Sequence, residues 1–362
     1  MNSSIDRVHF RERIEAKAHE LGFALVGVAR AEASSRTDAL RRWLDDGKHG
    51  EMGWLADCAA TRADVRLMLK NARSVIAVGD RYHDGRPDRV IAGAARGRIA
   101  RYARGKDYHD IIRDRLRKLG RFVREIAPGT STRLTGDIHP ILEREQAARA
   151  LVGAIGKHTL LIRPALGSYF LLGEIVTDAD IAASDEAPRT EASDLCRSCT
   201  RCIDACPTKA ITPYSVDATR CTAYLTIEHR SAIAAEFFGS TGDWWFGCDI
   251  CQEVCPHAQS TRASRRVGIN PQYAPRLESV DLLEVLGWNE ADRARLVVSS
   301  ALKRATLAMM KRNALLALAS IARTDAALAL RVRARCATIA ESVEEDEIVR
   351  LAAANCARTL SS

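Results

Sequence analysis

Apolar residues recur at helical spacing over residues 9–21, with Ile14, Ala18 and Leu21 on one face, and Gly22 closes the run before an extended stretch at 23–29. This pattern predicts a helix followed by a strand. Helices are expected at 37–46 and 63–71, and the short apolar run 74–78, between Arg73 and Gly79, suits a buried strand. Over 108–126, Ile111, Ile112, Leu116, Leu119, Phe122, Val123 and Ile126 repeat with helical period, so this helix is expected to pack on a sheet. A strand at 132–136, a helix at 141–152 begun by Pro140, and strands at 159–162 and 168–176 about a turn at 163–167 follow. Strands and helices alternate throughout, so residues 1–180 are expected to form an α/β domain, a mixed sheet with packed helices. Residues 178–194 are polar, alanine-rich and aperiodic, and read as a linker into a second module, 181–265. From 266 to 362 the pattern is all-α, with helices expected at 302–321, 326–343 and 345–360, compatible with stacked HEAT-like pairs.

The middle module carries the clearest chemistry. Cys196, Cys199 and Cys202 are followed by Cys206-Pro207, the bacterial spacing for thiolates that hold [4Fe-4S] clusters, in which the fourth cysteine serves the other cluster. Cys248, Cys251 and Cys255-Pro256 repeat the pattern, but Trp245 stands where the repeat would begin. Cys221 is the remaining cysteine in the stretch and is assigned the vacancy. One cluster is then expected on Cys196, Cys199, Cys202 and Cys255, and the other on Cys206, Cys221, Cys248 and Cys251. Four-thiolate zinc is the competing reading, and the twice-repeated crossed pattern argues for iron. Disulfides are not expected, because Met1–Arg7 lacks an apolar signal segment and a chain outside the secretory route keeps its thiols reduced. Cys58, Cys336 and Cys356 fall outside the pattern and read as free buried thiols.

At 362 residues with 47% hydrophobic residues, the chain can bury more than one core, and no run is long and apolar enough to cross a bilayer. A cytoplasmic, soluble protein without a membrane partner is expected. The formal charge of +8 is compatible with a polyanionic partner and shifts little alone. A basic set, Arg262, Arg265, Arg266, Lys303, Arg304, Lys311, Arg312, Arg331, Arg333 and Arg335, reads either as solvated helix faces or as a phosphate-contacting surface.

Several segments in order, 50–55, 72–76, 99–103, Asp107-Tyr-His109, Asp137-Ile-His-Pro-Ile-Leu-Glu143, Gly156-Lys157, 167–174, 221–228, 246–249 and Ala301-Leu-Lys-Arg304, resemble the epoxyqueuosine reductases, cobalamin-dependent iron–sulfur enzymes of tRNA modification. The resemblance implies that the N-terminal domain and the cluster module enclose a cobalamin, with cob(II)alamin the resting form. It also implies reduction of the epoxide of epoxyqueuosine at the tRNA wobble position to queuosine. The implied partners are tRNA bearing epoxyqueuosine, bound through its anticodon arm, and an external low-potential electron donor; a monomer is expected.

Asp137 is the expected proton donor on this resemblance, since the opening epoxide oxygen needs an acid, and burial beside the corrin is expected to raise its pKa. From residue type alone it reads as a cap or turn residue before Pro140. Arg62, Arg101, Tyr102, Lys157, Ser168 and Tyr169 are expected to line the cobalamin. The plainer readings are ion pairs for Arg62 and Arg101 and a core position for Tyr169. His83, His109, His139 and His158 read as structural rather than as cobalt ligands. Ile138-His139, Thr222-Ala223 and Gly79-Asp-Arg81 depart from the family pattern without removing a ligand or the acid; His139 is expected near the reactive face. A reductive dehalogenase-like enzyme and a pure electron-transfer protein are the alternative functions. Dehalogenases usually carry a twin-arginine signal, and simple ferredoxins lack the long α/β domain.

Overall fold

Val75, Ile76, Ala77 and Val78 are all buried in a strand, Ser74–Arg81, covered on both faces, which is why this run shows no polar alternation. The computed structural model describes residues 3–88, 95–186, 194–262 and 264–361. Part of the expected linker, 187–193, lies outside the described residues, as do Met1 and Asn2 of the N-terminal stretch.

The strand order is Leu25–Arg30, Ser74–Arg81, Phe170–Thr177, Thr132–Thr135, and every pairing is antiparallel, with Val28 opposite Ile76 and Ile76 opposite Ile175. The expectation of a mixed α/β sheet here is therefore corrected. Continuous burial of the central strands imitates the apolar runs of a parallel sheet, although no strand pair in this sheet is parallel. Mixed pairing occurs elsewhere: Arg96–Ile99 lies between Trp244–Phe246, parallel, and Ser279–Asp281, antiparallel.

Helices Ser3–Glu20 and Tyr108–Ile126 cover one face of the large sheet, joining Ile14, Ala18, Leu116, Leu119 and Val123 to Ile76 and Ile175 in one core. Each such buried aliphatic side chain contributes roughly 1.5–3 kcal/mol of transfer free energy. Gly173 permits the close approach, since a Cβ there would sit 2.9 Å from Ile112 Cγ2. Helix Glu143–Arg149 packs on the opposite face against Ala29 and Ala77. It starts two residues later than expected, because 136–139 forms a turn in which the His139 N–H donates to the Gly136 carbonyl at 2.8 Å. The expected helix at 63–71 is a short helix, Ala59–Ala63, and a single tight turn, Val65–Met68, capped by Asp64. The expected strand at 159–162 shortens to Leu161–Ile162, which pairs with Ala154–Ile155.

Toward the C-terminus, Leu307–Ile321 is buried almost all round, and Glu347–Thr359 packs against both it and Ala326–Glu341. The largest core runs from Ile99 through Leu225, Trp245 and Leu282 to Cys356, so residues from all three parts of the chain share it. Arg312 is completely buried: its guanidinium donates to the carbonyls of Leu225, His229 and Ser231 at 2.7–2.8 Å, while Asn313 donates to that of Thr226 at 2.7 Å. Lys311 is nearly buried and paired with Glu345 at 2.8 Å. These two are removed from the basic surface set; their charges are used inside the fold. Cys58 is exposed rather than buried, whereas Cys336 and Cys356 are buried as expected.

Candidate active site

The helix Tyr108–Ile126 begins at Asp107, whose Oδ1 accepts the backbone N–H of His109 at 3.1 Å, an ordinary N-cap. The same oxygen faces His109 Nδ1 at 2.6 Å. The cap thereby orients the imidazole so that its Nε2 lies 3.3 Å from Asp137 Oδ1. Tyr108, stacked on His109 with ring centroids 4.0 Å apart, donates its hydroxyl to the other oxygen of Asp137. Asp137 sits in the turn after the strand Thr132–Thr135, its side chain 40% exposed. A helix start and a strand end thus meet around one carboxylate.

Charge in this corner is arranged in alternation. Burial opposes the imidazolium of His109, but Asp107 and Asp137 outweigh it and push the pKa up to about 9, so the ring is protonated at neutral pH. Burial would raise Asp137; the His109 hydrogen bond and charge, the Tyr108 hydroxyl and the Ile138 N–H outweigh it and hold the carboxyl below its usual range. The protein neighbours of Asp137 thus favour its carboxylate, and the adjacent proton resides on His109; the expected rise refers to burial beside the corrin. Burial and the charge of Asp137 push Glu143 up, against the pull of Arg144, Arg62 and His109.

Among the other expected residues, two groups form. Arg62 is buried, donates to the Ile141 carbonyl at 3.3 Å, stands over Trp54, and keeps its buried Nε without a partner. Tyr102 packs edge-on against Tyr108 at 5.9 Å, so both belong to the Asp137 corner. Arg101 belongs to a second group. Its guanidinium, 3% exposed, meets Asp88 at 3.1 Å, Glu253 at 2.8 Å, Asp249 at 3.6 Å and the Tyr169 hydroxyl at 3.1 Å. Ser168 donates to Gln252 at 3.0 Å, tying this group to the cysteine module. A cavity of about 430 Å³ opens beside it, lined by Asp88, Arg96, Arg98, Arg104, Tyr169 and Glu253 among others. Lys157 lies apart from both groups: its ammonium is held by the carbonyls of Arg197 and Cys199 at 2.6 and 3.1 Å, and its N–H donates to Cys196 Sγ at 3.4 Å.

None of the eight motif cysteines is joined in a disulfide. Cys202 lies in the electrostatic field of Cys196, Cys255 and Cys199, whereas Cys248 senses Cys251 and Cys221, and Cys221 senses Cys206. Cys251 senses both Cys221 and Cys206, and also Cys202 across the divide. Burial raises Cys202, Cys221, Cys248, Cys251 and Cys255. Among the described residues no three Cys, His, Asp or Glu side chains close around a single ion. Trp245, in place of a first cysteine of the repeat, is wholly buried and donates its indole N–H to the Met310 carbonyl at 2.9 Å. Its position is used to fasten the module to the helical end.

Residue type alone gives Tyr108 no role and makes His109 a structural histidine; the signal in the sequence is the Asp107-Tyr-His109 run, with a cap residue two places before a histidine. Asp249, Gln252 and Glu253 also went unassigned, although they lie between the last three cysteines.

Residues 62–137 match the family described as "Epoxyqueuosine reductase QueG, DUF1730", and residues 195–258 match the "4Fe-4S double cluster binding domain". An epoxyqueuosine reductase of Synechococcus sp. (strain CC9605) is 39% identical over 84% of this chain and 92% of its own length. That of Salmonella typhimurium is 34% identical over 88% of this chain and 82% of its own. In fold, the chain is similar to a crystal structure of epoxyqueuosine reductase with an epoxyqueuosine-modified tRNA-Tyr stem loop, with a TM-score of 0.80 and 24% identity over 98% of this chain and 99% of that one. Relatedness at this level along most of both chains, together with the matched cluster-binding domain, establishes that the chain belongs to the epoxyqueuosine reductase family.

Proposed function

We propose that this chain reduces the epoxide of epoxyqueuosine in tRNA to the alkene of queuosine, with two electrons and two protons consumed and one water released. When bound, cobalamin and two [4Fe-4S] clusters supply the electrons. The thiolate quartets proposed are Cys196, Cys199, Cys202 and Cys255, and Cys206, Cys221, Cys248 and Cys251, supported by their spacing and mutual fields. Arg62, with a buried donor lacking a partner, Tyr102, Ser168, Tyr169 and Arg101 fit the polar periphery of cobalamin. Lys157, bound to the first cysteine loop, contributes by fixing that loop.

The observation that carries this reading is the Asp137 corner. A carboxylate at the surface of the site is ion-paired with the protonated His109 and receives a hydrogen bond from the Tyr108 hydroxyl, so a proton can pass from His109 Nε2 through Asp137 to an oxygen leaving the substrate. Tyr108 holds the carboxylate in place. We read residues 1–180, 181–265 and 266–362 as the catalytic, cluster and helical tRNA-contacting parts of a cytoplasmic monomer supplied by a low-potential donor, the last part built of HEAT-like pairs. The exposed Arg262, Arg265, Arg266, Arg331 and Arg333 are the phosphate contacts of this reading. Among the described residues, no helix is long and apolar enough to cross a membrane.

The test is incubation of the reduced, cofactor-loaded protein with tRNA bearing epoxyqueuosine, followed by nucleoside mass spectrometry. Loss of one oxygen atom from the modified base is expected. Unchanged nucleoside with full iron and cobalt content would overturn the reading.

A further inference from the structure

We propose that Lys303 is a positioning residue: its ammonium, seated on Asp107, holds the Asp107–His109 pair in the orientation that directs His109 Nε2 at Asp137. The proposal rests on the function read above. Lys303 Nζ lies 2.6 Å from Asp107 Oδ2, while both the backbone N–H and the ring Nδ1 of His109 face Oδ1. One carboxylate therefore has its two oxygens divided between two partners from distant parts of the chain. A second contact joins the same segments, since the Asp107 N–H donates to the Ser299 carbonyl at 2.8 Å. The turn Ala301–Arg304 that presents Lys303 is itself fixed. Ala301 and Leu302 are buried, Ser300 caps the turn by accepting the Leu302 N–H at 3.2 Å, and Arg304 pairs with Glu228.

The consequence is a chain of four alternating charges, Lys303, Asp107, His109 and Asp137, that starts in the helical end and finishes at the proton donor. Loss of the ammonium leaves Oδ2 of a buried carboxylate with no cation and frees the carboxyl to rotate. It also leaves the imidazolium facing an uncompensated negative pair, so that it holds its proton more tightly and gives it up less readily. The groups facing His109 are Asp107 and Tyr108 from its own helix start, Asp137 from the turn before Pro140, and Glu143 from the following helix, with Lys303 acting through Asp107. Lys303 remains 57% exposed, so it can be replaced without opening a core.

The experiment compares wild type, K303M and K303R in the full-length, cofactor-loaded protein. In K303M, kcat at saturating tRNA is expected to fall about tenfold with KM changed less than about twofold, and the alkaline limb of the kcat profile is expected to move to higher pH. K303R is expected to recover most of both. Independently of turnover, the His109 ring titration is followed by NMR of histidine-labelled, oxidised protein without tRNA, with His109→Gln used for assignment. Its midpoint is expected to rise by about 0.5–1 unit in K303M. An unmoved midpoint, or a raised KM with unchanged kcat, overturns the proposal and makes Lys303 a substrate contact or an idle charge. If wild type leaves epoxyqueuosine untouched yet the midpoint moves, the functional reading fails and the Lys303–Asp107–His109 linkage stands.

Discussion

Two charged networks lie close together in this protein and are built for opposite purposes. Around Asp137 the central cation is a histidine, whose ring can give up a proton, and the terminal carboxylate is partly exposed. Around Asp88, Asp249 and Glu253 the cations are Arg98, Arg101 and Arg104, whose guanidiniums do not release protons, and Arg101 is almost wholly buried. Asp88 is held well below the usual carboxylate range by Arg104, Arg101 and Arg98 although burial opposes this. The first network can move a proton; the second can only hold geometry. Replacing histidine by arginine at the centre of a salt-bridge network is what separates a proton path from a clamp.

The contrast is broken most sharply by Asp137→Asn. Turnover is expected to fall by about two to four orders of magnitude, with iron content unchanged. Retained turnover in an assay of queuosine formation would show that Asp137 is not in the proton path. Arg101→Ala tests the clamp: removing one partner of a buried pair leaves uncompensated carboxylates and is expected to cost about 3 kcal/mol or more in chemical denaturation. A loss below about 1 kcal/mol would place this network with weak surface pairs. The smallest expected effect concerns pH. His109 is raised to about 9 in the fold, so its contribution is complete below its ordinary value near 6.5 and is lost as pH rises through about 9. Asp107 and Asp137 are lowered, so theirs is present above about pH 4 and lost as pH falls. Histidine's contribution should be of the order of 2 kcal/mol or less, visible as a melting-temperature difference between wild type and His109→Gln that closes above about pH 10.

Much of this was legible in local pattern. The helix 108–126 follows from seven apolar positions on one period, and it begins and ends where the spacing says. The cysteine module follows from spacing that few other sites share. What pattern cannot carry is contact between distant segments. Lys303 and Asp107 meet only because Ser299–Arg304 folds back on a helix start, and neither residue signals the other. Arg312 misled for a related reason: an arginine on a helix reads as solvent-facing, and its interior role needs three carbonyls from residues 225–231. The antiparallel sheet was hidden because burial on both faces erases the alternation that would have revealed it.

The buried arginine at 312 also bears on how this enzyme can be dissected and recombined. Its guanidinium and the neighbouring Asn313 grip the backbone just after Cys221, while Trp245, three residues before Cys248, hangs from the Met310 carbonyl. Helix Leu307–Ile321 is therefore part of the scaffold that sets where two cysteines stand. A chimaera exchanging helical ends between relatives would have to bring along residues 221–231 and 244–246 as one cassette, since a junction drawn at 265 would cut through the mould in which those cysteines are cast.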